Sequence, residues 1–403
     1  MQKIMSRRSF LEKIGSATLG LCGAAMLTGC SQSMKTASAS NKKLNFIFVL
    51  IDDMGYADAS CLGSQFYETP NIDKLRRQSM YFTDAYMAAP VCSPSRTSIV
   101  MGKYPVRFDL NKVYAKNEPA RNEEFIEPPL NPNVPPEPVS IADALKSDGY
   151  ATACVGKWHL GDNKHGPETQ GFDYVFHIPP KSEPKDHKLI NYLTDKSIDF
   201  LKQNKDRPFF LYLAHDAMHH DYSADPELIE KYKKKIRPGI HQFNALYAAN
   251  LEHLDNGIGR LMKSIDELGL SKNTVVIFTS DNGGRQGNFK YIPGTSNYPA
   301  RSSKHTLYEG GIRVPLFVRW PKVVKPNSTC ASAVHSNDFF PTMIDIAGTP
   351  RNAYDYTDGI SFKSLLTGKG DESKFEKRSL IWYFPCYNEG AQWGSFTSYT
   401  TRP

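Results

Sequence analysis

The sequence predicts a large α/β domain built on a sheet that is buried on both faces, and three observations point there. Leu44 to Ile51 is a near-continuous apolar run, the pattern of a strand covered on both sides in a parallel sheet, and similar runs recur at Tyr150–Val155, Phe209–Leu213 and Thr274–Ser280. From about Gln242 to Leu268, the residues Leu246, Leu254, Ile258, Leu261, Ile265 and Leu268 recur at three- and four-residue steps, so one face of a long helix covers that sheet. Finally, 403 residues at 40% hydrophobic content support a large core, as one big domain or one plus a small appendage.

The chain opens Met1-Gln2-Lys3-Ile4-Met5-Ser6-Arg7-Arg8-Ser9-Phe10-Leu11, followed by a Gly/Ala/Leu-rich run over 14–26 and by Leu27-Thr28-Gly29-Cys30. A charged start, a short apolar run and small residues before a cut describe a secretory signal over residues 1–30. The run is too short and too rich in glycine for a transmembrane anchor. Ser-Arg-Arg-x-Phe-Leu resembles a twin-arginine start and Leu-Thr-Gly-Cys a bacterial lipobox. Export to the periplasm or surface of a bacterium follows, with a lipid on Cys30 as the only membrane contact. Residues 31–43 are polar and low in complexity, a tether between lipid and domain.

The first strand ends in Asp52-Asp53-Met54-Gly55-Tyr56. Two adjacent carboxylates at the end of a buried strand are costly unless something neutralises them, and a divalent cation does so. Thr69 caps a helix running through Leu75. Pro94 is tolerated in the first turn of the next helix, which places Cys92 at a helix N-terminus, where free amides suit an anionic group. Residues 107–138, rich in proline, asparagine and charge, form a long loop that would wall a substrate pocket. Ser140 to Lys146 is a short amphipathic helix, and if the strand ending at Val155 continues extended, Lys157 and His159 point to one side.

A helix over Lys188 to Asn204 leads to the strand Phe209–Leu213 and then to His215, His219 and His220. Three histidines so close could suggest zinc, but no cysteine or HExxH pattern accompanies them, and the carboxylates elsewhere favour a hard cation, so zinc is rejected here. The strand Thr274–Ser280 closes with Asp281-Asn282-Gly283-Gly284, again at a carboxyl end, where ligands bind in open α/β sheets. Asp52, Asp53, Asp281 and Asn282 thus form an all-oxygen metal set that suits one Ca2+, with Mg2+ the second choice. The strand Leu316–Trp320 and a helix over Asp338 to Ala347 finish the large domain.

The formal net charge of +7 is mild and compatible with an acidic substrate. Lysine and arginine are scattered, with no dense basic tract, so nucleic acid is excluded as a partner. Of the seven cysteines, Cys22 falls in the signal, Cys30 at the lipid site and Cys92 in the helix start. Cys61, Cys154, Cys330 and Cys386 are widely spaced and expected to be mostly buried thiols, with one bridge among them left open.

Six segments, in order, resemble the type I sulfatases. Cys92-Ser93-Pro94-Ser95-Arg96 matches the Cys-x-Pro-x-Arg signature that marks a cysteine oxidised to formylglycine (3-oxoalanine). The others are Asp-Asp-x-Gly-Tyr at 52–56, Gly-Lys-Trp-His at 156–159, the histidine near 219, Asp-Asn-Gly-Gly at 281–284, and Lys304 ahead of Glu-Gly-Gly-x-Arg-Val-Pro at 309–315. Any one is weak and together they are specific. The resemblance implies the alkaline-phosphatase-like fold, a mostly parallel central sheet flanked by helices, over residues 44–375. It implies formylglycine at Cys92, installed by a formylglycine-generating enzyme, and a catalytic set of Cys92, Arg96, Lys157, His159, His219 and Lys304. In that set Lys157, His159 and Lys304 contact the sulfate, and His219 protonates the leaving alcohol. The usual proline beside that histidine is missing and His220 follows directly, so both remain candidates; Ser302 and Ser303 stand where glycines usually precede the lysine.

The implied activity is hydrolysis of sulfate esters, on sulfated glycans. Two rivals remain, a phosphoester or phosphonate hydrolase of the same superfamily and an inactive, truncated lipoprotein that only binds sulfated glycans. Ser379 to Pro385 looks like the entry to a smaller carboxyl-terminal subdomain, which residues 376–403 would leave incomplete, with an uncovered apolar surface and an open sheet edge.

Overall fold

A computed structural model describes residues 43–113, 128–162, 164–178, 186–286, 294–350, 354 and 356–385, together with the backbone of 397–402. The export signal, the Cys30 lipid site, Cys22, Cys386, nearly all of the tether and the middle of the long loop lie outside the described residues.

The strands, in chain order, are β1 (Asn45–Ile51), β2 (Met80–Phe82), β3 (Ala85–Tyr86), β4 (Ala151–Gly156), β5 (Tyr174–Phe176), β6 (Phe209–His215), β7 (Thr274–Ser280), β8 (Leu316–Arg319), β9 (Ser328–Cys330), β10 (Val334–His335), β11 (Leu380–Phe384) and β12 (Thr397–Arg402). The helices that matter for the site are α1 (Pro70–Arg77), α2 (Cys92–Met101), α3 (Ile141–Ser147), α4 (Ile190–Asn204), α5 (Pro226–Lys233), α6 (Ala245–Glu267), α7 (Glu309–Ile312) and α8 (Phe339–Ala347). Eight strands form one sheet in the order β5-β4-β6-β1-β7-β8-β2-β9. Its pairs from β5 to β7 are all parallel, and β8 runs antiparallel to both its neighbours. The expected α/β fold with a mostly parallel sheet between helices is therefore what the chain adopts.

Why the apolar runs are continuous is visible in β1. Phe46, Phe48 and Leu50 pack with Ile99 of α2, Leu145 of α3 and Met343 of α8 on one face. Ile47, Val49 and Ile51 pack with Leu75 of α1, Leu193 of α4 and Leu254 of α6 on the other. A strand covered on both faces has no polar side to alternate with. The stripe on α6 is buried at Leu251, Leu254, Ile258, Leu261 and Ile265, while Leu246 and Leu268 sit at its partly buried ends.

Local capping follows the sequence in part. Ser140 accepts from the Ala142 and Asp143 amides and Asp143 accepts from the Ser140 amide, a complete capping box on α3. On α1 the Thr69 hydroxyl makes no cap; it donates to Asp73, and the Asp255 carboxylate of α6 takes the Asn71 and Ile72 amides instead. A tertiary carboxylate thus replaces the local one. Cys154 is buried as expected, whereas Cys61 and Cys330 are only half-buried, and all three are free thiols like Cys92.

Strands β11 and β12 pair antiparallel in a separate two-stranded sheet. Along β11 the residues Leu380, Trp382 and Phe384 are buried against Tyr86, Ala89 and Val91, while Ile381 and Tyr383 face out. The Trp382 ring nitrogen donates to the Met87 carbonyl at 2.8 Å, and its ring meets Tyr86 edge-on. This strand backs the loop that precedes Cys92.

Two buried imidazoles give the fold a pH signature. Burial lowers both His215 and His335 to about 4. In the unfolded chain they titrate near ~6.5, so between these values the unfolded state binds more protons and stability rises with pH. Stability is then full above about pH 6.5, and each histidine removes up to roughly 3 kcal/mol as pH falls towards about 4. Asp281, pushed up by burial, titrates in the opposite sense over the same interval, so the signature is read as a difference: on acidification the urea midpoint of His335→Asn, which keeps an acceptor for the Asn337 amide, should fall less than that of the wild type. Parallel profiles would refute the assignment.

Candidate active site

Four neighbouring parallel strands, β4, β6, β1 and β7, deliver their carboxyl ends to one place. The register pairs Ile51 with Ser280 and with His215, so Asp52-Asp53 and Asp281-Asn282 emerge side by side. Asp52, Asp53, Asp281 and Asn282 are all essentially inaccessible to water. Asp53 takes a left-handed backbone at φ 62, which aims its carboxylate back at Asn282, whose Nδ2 donates to Asp53 Oδ1 at 2.8 Å. Among the described residues the Asn282 Oδ1 finds no hydrogen-bond partner.

Cys92 begins α2, directly after its cap residue Val91, and Pro94 lies in the first turn as expected. All ten residues of α2 are buried, and three of its four hydroxyls bond backbone carbonyls: Ser95 donates to Ala89 O, Thr97 to Ser93 O and Ser98 to Ser95 O. The Cys92 thiol donates to Asp52 Oδ1 at 3.1 Å and lies 3.4 Å from Lys304 Nζ and 4.0 Å from Lys157 Nζ. One atom each from Asp52, Asp53, Cys92 and Asp281 falls within 4.8 Å of the others. Burial first, and then the Asp52 carboxylate, push this thiol well above its ordinary range, so as encoded it is no thiolate nucleophile.

Three cations face the carboxylates. Arg96 Nε and Nη2 hold Asp281 Oδ2 at 2.9 and 2.8 Å, Nη2 reaches Asp52 Oδ2 at 3.4 Å, and Nη1 donates to the Lys157 carbonyl at 2.6 Å. Lys157 is ion-paired with Asp52. Lys304 donates to both Asp53 oxygens at 2.5 and 2.7 Å. Burial opposes ionisation of Asp52, but Lys157, Arg96 and Lys304 outweigh it and hold that carboxyl well below its usual range. Asp281 is pushed the other way, to about 7, by burial and by Asp52. Lys157 and Lys304 both rise despite burial, chiefly through Asp52 and Asp53 respectively.

Lys157 and His159 do line the same pocket, but not by strand alternation. The strand stops at Gly156, φ 102, where a Cβ would lie 2.2 Å from the Ala214 carbonyl, and His159 itself is left-handed at φ 62. Two left-handed residues, rather than a continuous extended segment, bring the pair together. Burial and Lys157 lower His159 to about 3, so its ring is neutral.

His219 and His220 also line the pocket, their rings 4.2 Å apart. His219 Nε2 is 4.0 Å from Asp53 Oδ2; His220 Nδ1 instead meets Arg285 at 2.7 Å and is lowered to about 4 by burial, His219 and Arg285. Val113 of the long loop joins the wall, as do His177, Ile178, Arg285 and His305. None of those last four stands out in the sequence, because each sits on an irregular segment without periodicity. Asp216 is also missed: it lies 3.4 Å from Lys157 and 3.1 Å from Lys188. Behind the acids, Asp58 accepts from the Gly55 amide, Tyr247, Thr295 and Gln242, and Asn297 clamps both backbone groups of Gly284.

The donor set fits a hard divalent cation. Buried carboxylates and one orphaned amide oxygen are the ligands such ions take, and an isolated buried oxygen without a partner is otherwise costly.

The Sulfatase family model matches residues 44–349. A sulfatase of Formosa agariphila is 30% identical over 438 residues, covering 88% of this chain and 78% of that protein. An N-acetylgalactosamine-6-O-sulfatase of Bacteroides thetaiotaomicron is 30% identical over 445 residues, covering 88% and 82%. The solved structure of Ps i-CgsB in complex with k-i-k-neocarrahexaose superposes with a TM-score of 0.67 at 28% identity, over 80% of this chain and 76% of that one.

Arg96 is the test of this arrangement's stability. Arg96→Ala leaves Asp281 and Asp52 buried without their fork and should cost roughly 3–5 kcal/mol in urea unfolding. Arg96→Lys should recover little of it, since a point charge cannot reach Asp281 and the Lys157 carbonyl together. Wild-type stability in either variant would show that the pairing is dispensable.

Proposed function

This chain belongs to the sulfatase family and is an enzyme of that family, and we propose that it cleaves sulfate esters on sulfated glycans, using formylglycine made from Cys92 and one bound Ca2+. The observation that carries the reading is the position of the Cys92 side chain, at a helix N-terminus between Asp52 and Lys304 and clustered with the Asp52, Asp53 and Asp281 carboxylates. The glycan substrate is supported by the names of the relatives, one acting on N-acetylgalactosamine 6-O-sulfate and one bound to a neocarrahexaose. Export and lipid anchoring on Cys30 belong to the same proposal and are supported by the twin-arginine-like start and the lipobox.

Asp52, Asp53, Asp281 and Asn282 would hold the cation, which when bound supplies Lewis-acid stabilisation of a sulfuryl oxygen. Cys92, once converted to hydrated formylglycine, would supply one hydroxyl to attack sulfur and a second whose deprotonation would expel sulfate and restore the aldehyde. Lys157 and Lys304 stabilise charge on the sulfuryl oxygens. Arg96 orients Asp281 and, through the Lys157 carbonyl, the turn that carries Lys157. His219 donates the proton to the leaving alcohol, with His220 tied to Arg285. His159, neutral in the pocket, accepts the proton of the second hydroxyl once a bound anion offsets the field of Lys157.

Turnover and Ca2+-binding measurements test this. Cys92→Ser should abolish multiple turnover of an aryl sulfate, because its sulfate ester has no second hydroxyl to release it, while Ca2+ binding by calorimetry stays intact; undiminished turnover sinks the mechanism. Dialysis against a chelator should remove activity that Ca2+ restores, and Asn282→Ala should weaken Ca2+ binding without unfolding the chain. A faster rate on aryl phosphate than on aryl sulfate would favour the phosphoester reading instead.

A further inference from the structure

Away from the pocket, three side chains from three elements converge without a role in sulfate-ester chemistry. We propose that His187, Asp225 and His253 form a site for a zinc-type divalent cation. His187 lies in the turn that leads into α4, Asp225 immediately precedes α5, and His253 projects from α6. His187 Nε2 is 3.1 Å from Asp225 Oδ1, His253 Nε2 is 3.4 Å from Asp225 Oδ2, and one donor atom from each residue lies within 4.8 Å of the other two. A tetrahedral ion with ligand bonds of 2.0–2.1 Å has donor-to-donor edges of about 3.4 Å. The two histidine-to-aspartate distances already stand near that spacing, and the three donors need only close in from within 4.8 Å of one another.

Three further features aim these atoms at a shared point. Ring nitrogen Nδ1 of His187 lies 2.6 Å from Ser223 Oγ. Metal-bound imidazoles almost always give their second N–H to such an oxygen, which fixes the tautomer and points the Nε2 lone pair outward. The His253 Nε2 accepts from the Asp225 backbone amide at 3.4 Å, so its lone pair is turned towards Asp225 and a bound ion would take the amide's place. Asp225 occupies the cap position of α5 yet makes no side-chain cap hydrogen bond. An aspartate there usually turns to the amides of the first turn; this one turns to the imidazoles.

Exposure completes the site. The histidine side chains are 16% and 18% exposed and Asp225 is 59% exposed, leaving an open side for a water as fourth ligand. Two imidazoles with one carboxylate suit zinc rather than calcium or magnesium, the reverse of the all-oxygen set at the strand ends. The ion would tie the lead of α4, the start of α5 and the middle of α6 together. Lys188, next to His187, bonds Asp216, which in turn faces Lys157.

Calorimetric titration of Ca2+-saturated protein with Zn2+ tests this, because Ca2+ occupies the acidic set. Wild type, and His219→Gln with His220→Gln, should take up one equivalent of Zn2+. His187→Gln or His253→Gln should lose it or bind at least about tenfold more weakly, and Ser223→Ala, which disturbs packing least, should weaken it about 10–100-fold. No uptake by the Ca2+-saturated wild type would overturn the proposal. So would uptake that survives in His187→Gln and His253→Gln, or that disappears only when His219 and His220 are replaced.

Discussion

The structure depends on a buried balance of charge. Asp52, Asp53 and Asp281 are essentially sealed from water, and Arg96, Lys157 and Lys304 are the counter-charges that make this tolerable. Each ion taken out of water costs several kcal/mol, and only close, well-oriented partners offset it. The fork of Arg96 and the two contacts of Lys304 to Asp53 supply that orientation. A divalent cation added to a balanced set makes it net positive, which is the sign an anionic ester requires. In the proposed mechanism the same groups would serve the fold and the reaction, and the cost of holding them is met by the packed helices on both faces of the sheet.

The sheet sets the geometry of that balance. Neighbouring parallel strands end together, so residues more than two hundred positions apart in sequence, such as Asp53 and Asp281, meet without any long loop to place them. Loops then add what strands cannot. Lys304 reaches in from a segment after β7, and His219 from the turn after β6. The strand ends fix the rigid part of the site and the irregular segments carry the groups proposed to meet the substrate, in line with where binding groups sit on α/β scaffolds.

Much of this was legible before any coordinates. The apolar runs gave the central strands because a doubly covered strand has no polar face, and the acid pairs at their ends stood out because nothing local could neutralise them. The helix stripe over 242–268 likewise required only periodicity. What stayed hidden depended on tertiary partners. The cap of α1 comes from Asp255 on another helix, and no local pattern announces it. His159 reaches the pocket through left-handed turns that a strand-like reading of Gly156 to His159 misses. Arg285, His305 and Asp216 lie on irregular segments where residue type alone carries no direction. Lys304 and the histidine near 219 were found only through the resemblance, not through spacing.

The contact between Trp382 and the Met87 carbonyl joins residues 295 positions apart. At a synthesis rate of about 5–20 residues per second, the partner of that loop emerges about 15–60 seconds after it. For that interval the segment presenting Cys92 lacks Leu380, Trp382 and Phe384 behind it, however early the β1 strand and its helices begin to pack. The last part of the pocket to become rigid is thus set by the order of the chain, and the timing of synthesis is written into which strand backs the Cys92 segment.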